Sequence, residues 1–354
     1  MNVAVTGYYN TGSSAVLDLL QEYQRVAMVP EIGRQYEHVV FYTSGGLFDL
    51  CTLLTHGNSP HTSDMVINHF VQAMNRLNNY DMVWFGSMKK LFGDAFTRLV
   101  DEFVSEIATS KKGETSEHVI SSHFSLFKAT AQFAMKVFQH RHVVQYGRAY
   151  VRDGWPVYFS MPDEDMLYAA VRKFTCGYFD LFGSHKETAV KLYDHLIWPQ
   201  QIDEFSRCFD DDMKFIVLDR DPRDLFLISK YNSWRLNHAK PHYPTDPQVF
   251  IEEWKRTHVA SFSNPNAMQL HFEELIYDYD NTVAKIERFL GLKAEWHVEK
   301  GKHLQPEKSI ENTQLFQLKE EWNNEVKAIE EQLSDFLYTY PYVRKPNYNL
   351  MFAK

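Results

Sequence analysis

The sequence has few cysteines, and the three that it contains, Cys51, Cys176 and Cys208, lie far apart in a chain of 354 residues. It has neither a CxxC pair nor an even-numbered set of cysteines, which excludes a disulfide-stapled fold. Cysteine usage of this kind is typical of a reducing compartment. The sequence therefore predicts a cytoplasmic protein.

Long apolar runs and an excess of positive charge are also lacking. The apolar runs are shorter than the roughly 18–20 residues of a membrane-spanning helix, and the first predicted strand begins too early to leave room for a signal peptide. The formal net charge is −9, which argues against a nucleic-acid-binding surface. We therefore expect neither a nucleic-acid partner nor stable membrane insertion, and any anion must be bound by local positive charge.

Apolar residues are plentiful, at 44% of the chain, which is enough for a substantial core. Apolar runs typical of buried strands occupy residues 3–6, 25–29, 155–161, 213–220 and 267–272. Strands that alternate with helical patterns favour a parallel sheet covered on both faces. We predict an α/β protein of one domain, residues 1–354, with a large and mostly helical insertion at about 40–205.

The stretch VAVTGYYNTGSSAVLDLL, residues 3–20, runs from an apolar strand through a turn of small residues into an apolar helix. Glycines at 7 and 12 permit backbone angles that other residues resist, and Thr11, Ser13 and Ser14 offer hydroxyl groups. The N–H groups and the dipole at the start of a helix favour an anion. The turn is a candidate phosphate site without a lysine; tight packing is the alternative interpretation.

A second candidate group follows the most apolar predicted strand, in FIVLDRDPRDLFLISKYNSW, residues 215–234. Arg220 comes directly after the strand, Asp221 suits the cap of the next helix and Pro222 suits its first position. A planar guanidinium matches a phosphate through two parallel hydrogen bonds. Ligands of parallel sheets bind at the carboxyl ends of the strands. Arg220 and the first turn are therefore expected to bind the same ligand. A solvated charge cluster is the alternative.

These two stretches resemble the sulfotransferases that use 3′-phosphoadenylyl sulfate (PAPS). In that family the first strand–loop–helix binds the 5′-phosphosulfate. A later strand that ends in Arg-x-Pro, followed by a helix with a serine, binds the 3′-phosphate. A third stretch, LQPEKSIENTQLF at residues 304–316, is similar to the family's late Pro-x-x-Ser-x-x-Asn loop. The resemblance is closest to bacterial members that modify surface glycans such as capsular polysaccharides, and it is weak over residues 40–190.

The resemblance implies a P-loop-like three-layer fold and transfer of a sulfuryl group from PAPS to an acceptor hydroxyl. A glycan is the expected acceptor, and adenosine 3′,5′-bisphosphate (PAP) is the product. No metal is expected: His238 and His242 are four residues apart, but Pro241 breaks the helix that such a pair of ligands would need. The implied nucleotide-binding residues are Asn10, Thr11, Gly12, Ser13, Ser14, Arg220, Ser229, Ser309 and Asn312.

Two positions depart from the family pattern. Asn10 stands where the family usually has Lys or Arg, and Ser229 falls one residue later than the family's serine. Our hypothesis is that Arg34, just past the second strand, or Lys302, in the late loop, supplies the missing charge.

Transfer to a hydroxyl also needs a base for its proton. Several relatives use a glutamate just after the second strand; Glu31 holds that place, and Glu37 is the competing candidate. Either residue is equally interpreted as a surface carboxylate. His123 and His195 are conceivable bases, but a lone histidine in an aromatic-rich chain is usually structural.

Two other functions stay open. A nucleotide kinase or another P-loop phosphoryl transferase would use G-x-x-x-x-G-K-[ST], whose lysine this chain lacks. A nucleotide-binding module that has lost its chemistry would account for Asn10. The sequence contains no motif that identifies the acceptor or the oligomeric state.

Overall fold

A computed structural model defines the fold of most of the chain. It describes residues 1–29, 36–80, 86–112, 115–116, 150–151, 156–183, 188–232 and 243–352. These residues belong to two compact units, which we call the sheet unit, within 1–38 and 182–354, and the helical unit, within 39–181. The description of the chain as a single domain with an insertion stays a prediction.

The described strands are β1 Asn2–Gly7, β2 Val26–Met28, β3 Thr109–Lys112, β4 Thr115–Ser116, β5 Tyr150–Val151, β6 Pro156–Phe159, β7 Val190–Asp194, β8 Lys214–Asp219 and β9 Ala267–His271. Five of them form one parallel sheet in the order β2-β7-β1-β8-β9. The predicted α/β class with a central parallel sheet is confirmed.

Helices account for most of the remaining described residues. In the sheet unit they are Ser14–Gln21, Ile202–Phe205, Pro222–Leu227, Pro247–Thr257, Glu274–Tyr277, Tyr279–Leu290, Pro306–Ser309, Glu320–Glu325 and Lys327–Gln332, with a π-helical turn at Ile228–Asn232. In the helical unit they are Val39–Tyr42, Leu47–Thr55, Pro60–Asn79, Met88–Phe92, Ala95–Ile107 and Glu164–Leu181. Within the described residues, none of these helices has the length and apolar character needed to cross a membrane.

The central strands β1 and β8 are buried on both faces, and all but the first residue of each is buried. On one face, Val5 of β1 and Leu218 of β8 belong to the same buried cluster as Leu20 of the first helix. On the other face, Phe215 of β8 contacts Phe209, with ring centroids 5.9 Å apart. The carboxyl ends of β1 and β8 are therefore held side by side by packing on both faces.

The sequence-based prediction assigned one strand, β6, to the wrong sheet and did not include another strand, β7. The 155–161 segment does contain β6, but β6 pairs antiparallel with β3 in the helical unit. The central sheet instead contains β7, which lies between β2 and β1 and falls inside the range assigned to helical structure. Its sequence, VKLYD, is short and partly polar, although Leu192 and Tyr193 are fully buried.

The helical unit has its own aromatic core. The ring of Phe70, on the helix Pro60–Asn79, lies 5.4 Å from that of Phe103 and 6.0 Å from that of Phe174. Ser59 caps this helix by accepting the N–H of Thr62. This helix lies within the range, about 40–205, that the sequence predicts to be mostly helical.

Candidate active site

The turn after β1 depends on two residues in the left-handed backbone region. Asn10 has a φ of 62° and Gly12 a φ of 88°. Between them, Thr11 donates its N–H and its hydroxyl to the carbonyl of Tyr8, at 3.2 and 2.8 Å. A β-carbon at Gly12 would lie 3.0 Å from the ring of Phe272. Position 12 therefore requires glycine for both its conformation and its close contact.

The helix Ser14–Gln21 starts directly after this turn, with Ser13 at its N-cap and Ser14 exposed at its first position. The side chain of Ser13 makes no capping hydrogen bond. The N–H groups of Ala15 and Val16 donate to the carbonyls of Gly12 and Ser13, at 2.8 and 3.1 Å, so the donors for an anion are the N–H groups of residues 12–14, at the positive end of the helix dipole. The turn thus has the backbone donors of an anion site.

Arg220 extends from the end of β8 to this turn. Its Nη1 donates to the carbonyl of Asn10 at 3.3 Å, and its Nη2 donates to the carbonyl of Asn312. Its guanidinium carbon lies 4.6 Å from the centre of the Phe272 ring. The residue is only 3% exposed, so its charge is weakly screened by salt. The structure therefore brings the two predicted stretches and the late loop together at one guanidinium.

The residues after Arg220 fix the late loop against it. Asp221 is the N-cap of the helix Pro222–Leu227, as predicted, and accepts the N–H of Arg223. One turn later, the buried carboxylate of Asp224 accepts the N–H groups of Gln314 and Leu315, at 2.8 and 2.7 Å. These bonds hold the segment that contains Asn312 beside the arginine.

A second buried carboxylate, Glu22, holds the beginning of the late segment. Its oxygens accept the backbone N–H groups of Gly301, His303 and Leu304, and they lie within hydrogen-bonding distance of Nε2 of His297. Burial alone would raise the pKa of Glu22, but these hydrogen bonds lower it below its usual value. Further along, Ser309 lies half-buried at the end of the helix Pro306–Ser309.

Two other buried acids of the sheet unit hold a proton more tightly than usual. Burial raises the pKa of Glu273 to about 8; the charge of Asp221 adds to the shift and that of Arg220 opposes it. Burial likewise raises the pKa of Glu37 to about 8, and the charge of Asp194 adds to it. Both groups therefore titrate in the folded protein near neutral pH, far above the range of a solvated glutamate.

These raised pKa values predict a stability that falls as the pH rises from 7 to 9. A carboxyl group with a higher pKa in the folded than in the unfolded chain binds more protons when folded, so the free energy of unfolding decreases as the pH rises through the folded value. Glu37 and Glu273 are among the carboxyl groups that lose their proton between pH 7 and 9 in the folded protein. Histidines with lowered pKa, such as His258 at about 3, are neutral when folded and mostly neutral when unfolded above pH 7, so they oppose this slope only weakly. We expect the melting temperature to drop by several degrees, and to drop less in Glu273→Gln; an equal drop in this variant and in a control, Glu299→Gln at the surface, would contradict the assignment.

His195, which the sequence interpretation set aside, lies next to the first turn. It follows β7, and its backbone N–H donates to the carbonyl of Val5 at 2.9 Å. Its Nδ1 lies 2.6 Å from Oδ1 of Asp194, and its Nε2 lies 3.5 Å from Oγ of Ser13. Because a carboxylate only accepts hydrogen bonds, Nδ1 donates to Asp194, and Nε2 is the ring nitrogen that faces Ser13.

The backbone of His195 is strained. Its φ of 53° lies in the left-handed region, which is uncommon for a residue other than glycine. Such strain persists only where surrounding contacts over-determine it, and it is concentrated at functional sites. Asn10 and His195, on neighbouring strands, both have this conformation, so the strain marks the carboxyl ends of β1 and β7.

Glu37 lies on the Asp194 side of this arrangement. It is almost fully buried, and its carboxyl oxygens accept the backbone N–H of Tyr36 at 2.8 Å and that of Asp194 at 3.3 Å. Both oxygens are thus engaged by backbone donors. The other glutamate candidate, Glu31, lies outside the described residues, as do Arg34 and His123.

Two further candidates are engaged elsewhere. Lys302 is exposed, and its Nζ donates to both carboxylate oxygens of Glu299 at 2.8 Å. Ser229 is fully buried; its hydroxyl donates to the carbonyl of Tyr243 and accepts the N–H of the same residue, both at 3.1 Å. The hydroxyl of Ser229 therefore fixes Tyr243, and its assignment to the nucleotide stays a prediction.

Asn10 brings a donor to the position where a cation was expected. Its Nδ2 is buried and has no hydrogen-bond partner in the described part of the chain. An unsatisfied buried donor is costly, and each such group in a folded protein calls for an explanation. An anionic oxygen bound at this turn would satisfy it. Within the same described residues, no group of three His, Cys, Asp or Glu side chains is placed to hold a metal ion.

A parallel sheet whose first turn meets an arginine from the neighbouring strand is suited to binding an anionic ligand, and the adjacent histidine–aspartate pair is suited to moving a proton. A family model described as the sulfotransferase domain matches residues 2–345. The chain therefore belongs to the sulfotransferase family. No curated protein matches the sequence.

Among solved structures, the chain is similar to one described as the sulfotransferase domain from the curacin biosynthetic pathway. The two share 10% sequence identity with a TM-score of 0.32, over 86% of this chain and 76% of that chain. This likeness is too distant to add to the argument from the site.

Proposed function

We propose that this sulfotransferase uses PAPS as donor, transfers its sulfuryl group to a hydroxyl of a glycan acceptor in the cytoplasm, and releases PAP. The observation that carries the proposal is the hydrogen bond from Arg220 to the carbonyl of Asn10. This hydrogen bond joins two neighbouring sites: the turn, which is suited to binding one anionic group, and the guanidinium, which is suited to binding a second. A ligand with phosphates at two separate positions, such as PAP, fits this pair of sites.

The two ends of the donor would be bound by different parts of the sheet unit. The backbone N–H groups of residues 12–14 and the hydroxyls of Ser13 and Ser14 would hold the 5′-phosphosulfate at the start of the first helix. Thr11 would support them by fixing the turn, since its N–H and its hydroxyl both donate to Tyr8. Arg220 would bind the 3′-phosphate, with the segment of Ser309 and Asn312 beside it. We assign Ser229 the supporting role of fixing Tyr243.

His195 is our proposed general base. Its Nε2 would accept the proton of the acceptor hydroxyl while the hydroxyl oxygen forms a bond to sulfur and the bond from sulfur to the phosphate oxygen breaks. Asp194 holds the ring by its Nδ1 and stabilises the imidazolium that forms. We assign Glu37 the positioning of Asp194, to whose N–H it is bonded. Glu31 is the alternative base. Arg34 is the alternative source of the positive charge that is missing at Asn10.

Binding and transfer measured together test the proposal. Calorimetry should show PAP binding at least tenfold more tightly than ATP, and labelled sulfate should pass from PAPS to glycans of the source organism. Binding without transfer to any acceptor would identify a module that has lost its chemistry. Preference for ATP would favour the phosphoryl transferase.

Asn10 predicts a variant with increased activity. The amide donates a hydrogen bond to the leaving oxygen but carries no charge, whereas hydrogen bonds from a charged donor are about twice as strong. We expect Asn10→Lys to raise kcat by about 10-fold, even after the cost of a left-handed lysine, roughly 1 kcal/mol. Asn10→Met, of similar length and uncharged, should lower kcat, and a rise in both variants would show that the charge is not the cause.

A further inference from the structure

The sheet unit contains a cavity of about 510 Å³ beside the first turn. Its wall includes Tyr9, Trp198 and Tyr243. The ring centroids of Tyr9 and Trp198 are 5.0 Å apart, and those of Tyr9 and Tyr243 are 6.3 Å apart. Tyr9 is 45% exposed, so part of its ring is accessible to a molecule in the cavity. A concave site lined by aromatic rings with a few polar groups is typical of small-molecule binding.

The cavity adjoins the proposed base. Tyr9 directly precedes Asn10 in the turn, and the ring of Trp198 meets that of His195 edge-on, with centroids 6.1 Å apart. A molecule against Trp198 therefore lies next to the histidine that would take its proton. The volume is within the range of roughly 300–1,000 Å³ that is usual for small-molecule sites.

Polar side chains complete the lining, and they define what the cavity can bind. Gln200, Glu253 and Thr257 contribute amide, carboxylate and hydroxyl groups. Aromatic faces beside hydrogen-bonding groups match a sugar ring, whose C–H faces are apolar and whose edge carries hydroxyls. A phenol, with one polar atom, would leave most of these groups unsatisfied.

The charge of the lining is negative. Glu253 is the charged residue among those that line the cavity in the described part of the chain. Its cationic neighbour, Arg256, is 66% exposed and lies 3.4 Å from the carboxylate, so it screens this charge only partly. An acceptor that already carries a carboxylate or a sulfate would be repelled.

We propose that this cavity is the acceptor site and that it binds an uncharged saccharide stacked on Trp198 and Tyr9, with one hydroxyl directed to His195. Gln200, Glu253 and Thr257 hydrogen-bond the remaining hydroxyls. The inference rests on the proposed function and narrows its acceptor to neutral glycans.

Saccharide binding in the presence of PAP tests the inference. Calorimetry and saturation-transfer NMR would compare neutral tetrasaccharides of glucose, mannose and N-acetylglucosamine with a hyaluronan tetrasaccharide and with 2-naphthol. At least one neutral saccharide should bind more tightly than the other two probes. Trp198→Ala should weaken it 10-fold or more, Trp198→Phe should retain part of the affinity, and Tyr80→Ala, which removes an exposed ring of the helical unit, should change nothing. Glu253→Gln should raise the affinity for hyaluronan relative to the neutral saccharide.

The failures of the two proposals can be told apart. If PAP binds and sulfate is transferred, but 2-naphthol or hyaluronan is the preferred acceptor, the neutral-saccharide inference is wrong and the proposed function stands. The same conclusion follows if no neutral saccharide binds, or if Trp198→Ala leaves its affinity unchanged. If neither PAP binding nor transfer to any probe occurs, the proposed function itself is wrong.

Discussion

Replacement of Arg220 by alanine is expected to weaken PAP binding by about 100-fold. A hydrogen bond to a charged group contributes roughly 1.5–3 kcal/mol, and each 1.4 kcal/mol corresponds to a tenfold change in the dissociation constant. The guanidinium is buried at the point where the first turn and the late loop meet. Its loss therefore removes a weakly screened charge from the part of the proposed nucleotide site that would bind the 3′-phosphate. Calorimetric titration with PAP gives the dissociation constant directly.

Two further variants show whether the loss of PAP affinity comes from the lost charge, from the lost hydrogen-bond geometry or from unfolding. Arg220→Lys keeps the charge and loses the paired donors, so it should bind PAP with intermediate affinity. Arg288→Ala, at the surface of the sheet unit, should bind like the unmodified protein. Melting temperatures identify a loss that comes from unfolding. Unchanged PAP affinity in a folded Arg220→Ala protein would remove this residue from the site and with it the main support for a PAPS donor.

Replacement of His195 by alanine should lower kcat by about 10²–10⁴-fold, the usual contribution of a general base, while PAP affinity changes little. The separation is expected because Nε2 lies beside Ser13 and would contact the acceptor hydroxyl, whereas Arg220 would bind the far end of the nucleotide. Single-turnover transfer and PAP calorimetry on the same preparation measure the two effects. His303→Ala, which removes an exposed imidazole, is the matched control.

Variants of Asp194, Glu37 and Glu31 decide between the candidate bases. Asp194→Asn should lower kcat and alter its pH dependence, because the imidazole loses the partner of its Nδ1. Glu37→Gln should have a smaller effect, since its bonds reach Asp194 through the backbone. If Glu31→Gln abolishes transfer while His195→Ala retains it, the base is the glutamate, and the assignment to His195 is wrong.

Much of the site could be predicted because its signals are local. A strand, a small-residue turn and a helix follow one another within residues 3–20, so Asn10, Gly12 and Ser13 are recognisable together. Arg220 was found in the same way, between a buried strand and a capped helix. Parallel strands align their carboxyl ends, and this rule was sufficient to expect that the two stretches would meet.

His195 was not predicted, because its role depends on β7. A five-residue strand with a lysine and an aspartate has little apolar periodicity of its own. It is defined by partners that are distant in sequence, since Asp194 pairs with Val5 of β1. Without that pairing, His195 is one more histidine in a helical segment, and its approach to Ser13 is unreadable. The sheet of residues 155–161 was wrongly predicted for a related reason: their apolar pattern indicates a strand but not the sheet to which it belongs.

The strand order also constrains how the chain folds during synthesis. β1 lies at the centre of the sheet, yet its two neighbours, β7 and β8, start about 190 and 210 residues later. At a translation rate of roughly 5–20 residues per second, β1 waits on the order of 10–40 seconds for its first neighbour. During that time its apolar side chains and both of its edges are open to wrong partners. A central strand that is buried on both faces of the folded enzyme is therefore also the strand that waits longest for its first neighbour during synthesis.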